Sequence, residues 1–167
     1  MLKEKVEEAL NKHLNYEFVS AHLYLSIGAY FDSIDLPGFS TWMKIQFDEE
    51  VSHARKFYNY IDSRGGRVEL TGIPEQPRNW NSPLKAFALT LDHEREISER
   101  INDLVTLTIE EKDHPTNNFL QWFLSEQVEE EATVSAILTK LKMIGDSPQS
   151  LLLLDQELAQ RAPAPVV

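Results

Sequence analysis

Cysteine is absent from the 167 residues. That excludes disulfide frameworks, thiolate zinc sites, iron–sulfur centres and cysteine nucleophiles. Long apolar runs are missing too. None approaches the roughly 20 residues needed to span a bilayer, and the opening residues, Met-Leu-Lys-Glu-Lys-Val-Glu, lack the apolar core of a secretion signal. A cytoplasmic chain with no membrane partner is expected. Positive charge is scarce: 16 Lys and Arg face 27 Asp and Glu, a formal net charge of −11. Such a surface repels phosphate backbones, so no nucleic-acid partner is expected, and cations suit it better. Apolar side chains are plentiful at 42%, against 26% charged, enough for a packed core and too many for a disordered chain. The length suits one domain.

Glycine and proline fall mostly at a few breaks: Leu36-Pro37-Gly38, the stretch from Gly65 to Pro83, Asp113-His114-Pro115, Gly145 to Pro148, and a tail containing Pro163 and Pro165. Gly28 stands alone inside a helical pattern, where it costs up to about 1 kcal/mol against Ala; close helix packing is the usual reason. Between the breaks, apolar residues recur at helical spacing. They predict helices near residues 4–33, 39–64, 83–112 and 115–143, with a short fifth near 148–161. Ser82-Pro83 and Ser147-Pro148 read as N-caps followed by proline in the first turn, and Gly65 and Gly145 as C-terminal caps. The result is an all-α four-helix bundle over 1–145, with 146–167 adding a short fifth helix and a proline-rich tail, expected to be disordered, within the same domain. Two short connections make antiparallel hairpins. The connection of about 18 residues between helices two and three can reach about 60 Å, while a 27-residue helix measures about 40 Å. It can therefore run the length of the bundle and set those two helices parallel.

Each apolar stripe is broken near its middle by polar residues aimed inward. Helix one carries Glu17, helix two Glu50 and His53, helix three Glu94, and helix four Gln127 and Glu130. Their depths along the four helices agree within about 10 Å, so they form one layer. A shift of 77 residues carries Glu17 onto Glu94, Glu49 onto Glu126, Glu50 onto Gln127 and His53 onto Glu130. Residues three apart share a helix face, so each pair can grip one ion. Carboxylates buried without partners would cost several kcal/mol each, and no Arg or Lys occupies the inward positions. Two divalent cations would neutralise them. Mixed Glu and His ligation of two metals in a bundle core is characteristic of di-iron carboxylate proteins, although manganese or zinc would fit chemically.

Other residues stay open on spacing alone. Glu49, Glu126 and Glu129 form either a solvated face or a further cation site. Tyr24, two turns from Glu17 on the same stripe, is either a core side chain or a donor to the metal layer. His13, His22, His93 and His114 are surface residues or neighbours of the layer, Trp122 is read as packing, and the second Glu-x-x-His match, Glu111 to His114, as exposed polar residues. The apolar run Leu151 to Leu154 is expected to be buried at a subunit junction, with packing on its own bundle as the alternative.

Several stretches make the chain resemble a haem-free ferritin of prokaryotic and archaeal type. They are Asn15-Tyr16-Glu17, Tyr24-Leu25, Glu49-Glu50-Val51-Ser52-His53-Ala54, Arg64-Gly65-Gly66-Arg67-Val68, Asp92-His93-Glu94, Phe119-Leu120-Gln121-Trp122 and Glu126-Gln127-Val128-Glu129-Glu130-Glu131. The resemblance implies a ferroxidase. Glu17, Glu50 and His53 would hold one iron, with Glu50 bridging. Glu94, Glu50 and Glu130 would hold the second, with Gln127 close by. Glu49, Glu126, Glu129 and Glu130 would hold a third, and Tyr24 would stand beside the di-iron centre. It further implies Fe2+ oxidation by O2 or peroxide and storage of ferric oxyhydroxide in a hollow shell of 24 subunits. Haem is not expected, because the position of the haem-ligating methionine in bacterioferritins is Val51 here. The two metal positions are unequal, with histidine only at the first, which is expected to bind more tightly. Rival expectations are a di-iron oxidase acting on an organic substrate and a non-catalytic helical assembly.

Overall fold

The computed structural model describes residues 2–163. Its secondary structure is entirely helical: α1 (Glu4–Ser33), α2 (Pro37–Ser63), α3 (Pro83–Glu110), α4 (His114–Ile144) and α5 (Pro148–Leu158). Part of the proline-rich tail, residues 164–167, lies outside the described residues.

The helix ends follow local chemistry. Ser82 and Ser147 each accept a hydrogen bond from a backbone N–H three residues on, and proline follows each in the first turn. Asp113 caps α4, accepting from Thr116 N at 3.2 Å and Thr116 Oγ1 at 2.7 Å, and pairs with Arg64 at 3.2 Å. It is a buried cap, whereas its neighbour His114 is exposed. Glu111, the other end of that Glu-x-x-His match, pairs with Lys3 and Lys5. Gly65, at φ 71°, follows the α2 C-cap, and Gly65 N and Gly66 N donate to Asp62 O and Ile61 O.

α2 starts two residues earlier than its sequence suggests. Leu36 offers no side-chain cap. The cap comes instead from α5, where Asp155 Oδ1 accepts the Phe39 N–H at 2.9 Å. Gly38 thus lies inside the helix, not in a loop. A Cβ there would fall 1.7 Å from Asp155 O, so only glycine lets the two backbones approach. At Gly28 an added Cβ would make only ordinary contacts of 3.6 Å with Met43 Cβ and Ser40 O; close packing does not demand glycine there.

α1 pairs with α2 and α3 with α4. The crossover from α2 to α3 is bonded along α1. Glu7, Asn11 and Asn15, one turn apart on that helix, accept from the backbone N–H of Arg67, Glu69 and Thr71 at 2.9, 2.8 and 2.8 Å. Asn11 and Asn15 also donate to Arg67 O and Glu69 O. Further on, Trp80 is buried against Tyr30.

The apolar core falls into two clusters. One gathers Ile27, Phe31, Phe39, Phe87 and Leu141 with Leu154 and Leu158 of α5. The other gathers Leu10, Leu14, Phe57, Ile101 and Phe123. The inward polar residues lie between them. α5 packs one face on its own bundle, while Leu152 and Leu153 on the other are more than half exposed.

Candidate metal centre

Each of the four long helices turns one or two polar residues into the gap between the core clusters. Glu17, Glu50, His53, Glu94, Gln127 and Glu130 are all buried, none more than 6% exposed. The periodicity that buries Leu14 and Ala21 on α1, and Phe57 on α2, also buries the polar positions on those stripes.

Glu17, Glu50 and His53 each offer one ligand atom, and the three atoms lie within 4.8 Å of one another. His53 Nδ1 is 3.5 Å from Glu50 Oε2, an ion-pair contact that makes no hydrogen bond. Glu17 Oε2 and Glu50 Oε2 are buried without any hydrogen-bond partner. Unpartnered buried carboxylate oxygens are costly, and a cation would satisfy both. On the far side of the layer, Glu94 accepts from the Tyr24 hydroxyl and, at 3.1 Å, from Gln127 Nε2. Glu130 accepts from Gln46 Nε2 at 3.0 Å.

Electrostatics follow from burial. It raises the Glu17 carboxyl, against the lowering effect of His53 and Glu50, and it pushes Glu50 up to about 8, with the Glu17 charge adding to the rise. Burial likewise raises Glu94 and Glu130, Glu94 further through the charges of Glu50 and Glu17 and Glu130 further through those of Glu94 and Glu50. Burial opposes charge on His53, but Glu50 beside it, with Glu17 and Glu130, outweighs that and lifts it to about 10. The metal-free layer therefore holds protons that an entering cation would displace.

Two residues of the layer were not evident from sequence. His13 Nε2 lies 2.8 Å from Glu17 Oε1, and burial pushes the ring down to about 3, so it meets Glu17 as a neutral partner. It belongs beside the layer and not on the surface. Gln46 is fully buried one turn before Glu50; its signal was that same inward stripe. Tyr24 is a hydrogen-bond donor to the layer as well as a core side chain. His93 bonds Ser20 at 2.8 Å, on the α1 side, and His22 is exposed. Trp122 is 42% exposed and sets its ring edge-on to His53, 5.4 Å between centroids.

Glu49, Glu126 and Glu129 are placed differently. Burial raises the Glu49 carboxyl, Arg161 and His53 oppose this and the charge of Glu126 adds to it, while Arg161 Nη2 donates to Glu49 Oε2 at 2.5 Å. Glu129 is exposed. Among the described residues these three do not gather ligand atoms as Glu17, Glu50 and His53 do.

Four long helices, a parallel crossover and a buried Glu/His layer define a carboxylate-lined helical bundle with a candidate metal centre at its middle. The family model described as Ferritin-like domain matches residues 7–144, and the chain belongs to the ferritin family. A bacterial non-heme ferritin of Bacteroides fragilis is 40% identical over 161 residues, covering 96% of this chain and all of its own length. A Staphylococcus haemolyticus counterpart is 38% identical over 162 residues, covering 97% of this chain and 98% of its own. Among solved structures, an engineered closed form of the Archaeoglobus fulgidus ferritin superposes with a TM-score of 0.97 at 48% identity, covering 98% of this chain and all of its own. The novel open pore ferritin of the same organism gives 0.96 at 49%, covering 97% of this chain and all of its own.

Proposed function

We propose that this chain is a cytoplasmic iron-storage ferritin. Its buried layer oxidises Fe2+ with O2 or peroxide, and ferric oxyhydroxide is stored inside a shell of 24 copies. The observation that carries this reading is the pair of unpartnered buried oxygens, Glu17 Oε2 and Glu50 Oε2, beside His53. Iron is substrate and cargo here. Glu17, Glu50 and His53 hold one Fe2+. Glu94 and Glu130, with Glu50 between the positions and Gln127 at hand, hold a second.

The balance is simple. Two Fe2+ lose one electron each, and one O2 takes both electrons and two protons to leave as H2O2. With H2O2 as oxidant, the O–O bond breaks, and two electrons with two protons give two waters. The chain's own groups handle the charge. His53 and the protonated carboxylates release protons as Fe2+ enters. Tyr24 and Gln127 keep Glu94 aimed into the layer, Gln46 does the same for Glu130, and His13 for Glu17. Assembly finds support in the exposed Leu152 and Leu153 of α5, apolar residues that a neighbouring copy would cover.

Aerobic addition of Fe2+, followed by the near-ultraviolet absorbance of oxo-ferric iron, tests the oxidation step. Fast oxidation by the wild-type protein, slowed at least tenfold in Glu50→Ala, is the expected result. An equal rate in both would remove the layer from the reaction.

A further inference from the structure

Arg161 lies three residues beyond the end of α5, yet it is anchored. Its backbone N–H donates to Leu158 O at 3.2 Å. Its guanidinium lies over the ring of buried Trp42, 4.4 Å from the centroid, and Nη1 donates to Trp42 O at 3.4 Å. Nη2 reaches Glu49 Oε2 at 2.5 Å, with the two side chains only 18% and 14% exposed. A planar guanidinium seated on an aromatic face is fixed in orientation, and it stays charged at every relevant pH. α5 itself is held to α2 through Asp155 and Phe39. The positive charge is thus delivered to Glu49 by docked structure, not by a loose surface side chain.

Glu49 is the residue next to Glu50, and its carboxylate feels both Glu126 and His53. An oxygen already accepting a short charge-assisted hydrogen bond from Arg161 is a poor ligand until that bond opens.

We propose that Arg161 is a resident cation on Glu49 that holds this carboxylate out of metal ligation, so that the chain takes two tightly held divalent ions and not three. The inference rests on the metal layer proposed above. Arg161 is a positioning residue, acting on metal through Glu49.

Zn2+, a redox-silent divalent ion, is the probe, and the readout is the number of tight ions per chain by calorimetric titration of the metal-free assembled protein. The wild type is expected to bind two. Arg161→Gln gains a third, and Arg161→Gln combined with Glu49→Gln returns to two, which a mere loosening of α5 would not do. Glu49→Gln alone leaves two, and it decides the matter if Arg161→Gln fails to fold. A wild type that binds three and drops to two in Glu49→Gln overturns the inference, as does Arg161→Gln remaining at two; both leave the metal layer standing. A wild type that binds none overturns the layer and the inference together.

Discussion

Burying Glu17, Glu50, Glu94 and Glu130 at one level sets how the metal-free chain responds to pH. Each has a folded-state pKa above the ordinary carboxyl value, because burial disfavours the charge and the neighbours repel it. The folded chain keeps protons that the unfolded chain releases, so stability falls as pH rises from about 4.5 towards 8 for Glu50. His53, raised from 6.5 to about 10, adds loss in the same direction above pH 6.5. His13 and His93 act oppositely. Burial lowers them to about 3 and about 4, so their contribution is complete above 6.5 and lost as pH falls towards those values. Between pH 6.5 and 8 they no longer change, and the carboxylates and His53 decide the slope. The Tm of the metal-free protein is expected to fall across that window, and saturating divalent cation to remove the fall by displacing the protons. A metal-free Tm that is flat or rises between pH 6.5 and 8 would contradict this charge assignment.

At the scale of elements, the junction of α5 with α2 is the most exacting contact. Asp155 supplies the cap that Leu36 lacks, and Gly38 admits the α5 backbone. Gly38→Ala forces those backbones apart and is expected to cost about 1–3 kcal/mol, with faster amide exchange throughout α5; unchanged exchange and Tm would show the approach to be slack. This junction also marks the limit of what sequence discloses. Helices, caps at Ser82 and Ser147, the long crossover and the inward layer follow from periodicity and local spacing, which one chain's order of residues carries directly. The early start of α2, the Arg161 contact with Glu49 and the binding of the crossover by Glu7, Asn11 and Asn15 join residues 54 to 116 apart in sequence. No local pattern announces such pairs. Gln46 and His13 were not singled out as inward positions, because their partners, Glu130 and Glu17, are set by three-dimensional packing and side-chain rotamers.

The whole molecule combines a strong net negative charge, a buried layer of carboxylates and histidine, and apolar residues left outside its own core. A net charge of −11 per chain draws cations towards any assembly of copies. Leu152, Leu153, Val128 and Met143 are each more than half exposed in the single chain, the kind of surface that association covers. Oxidation and storage are separable properties, since a small di-iron enzyme would share the first and lack the second. The most direct test is to add Fe2+ aerobically in large excess, then size the protein and count iron in the eluting particle. Hundreds of iron atoms carried in one large particle would match a storage ferritin. Iron uptake that stops at two or three per chain, in a small particle, would contradict it.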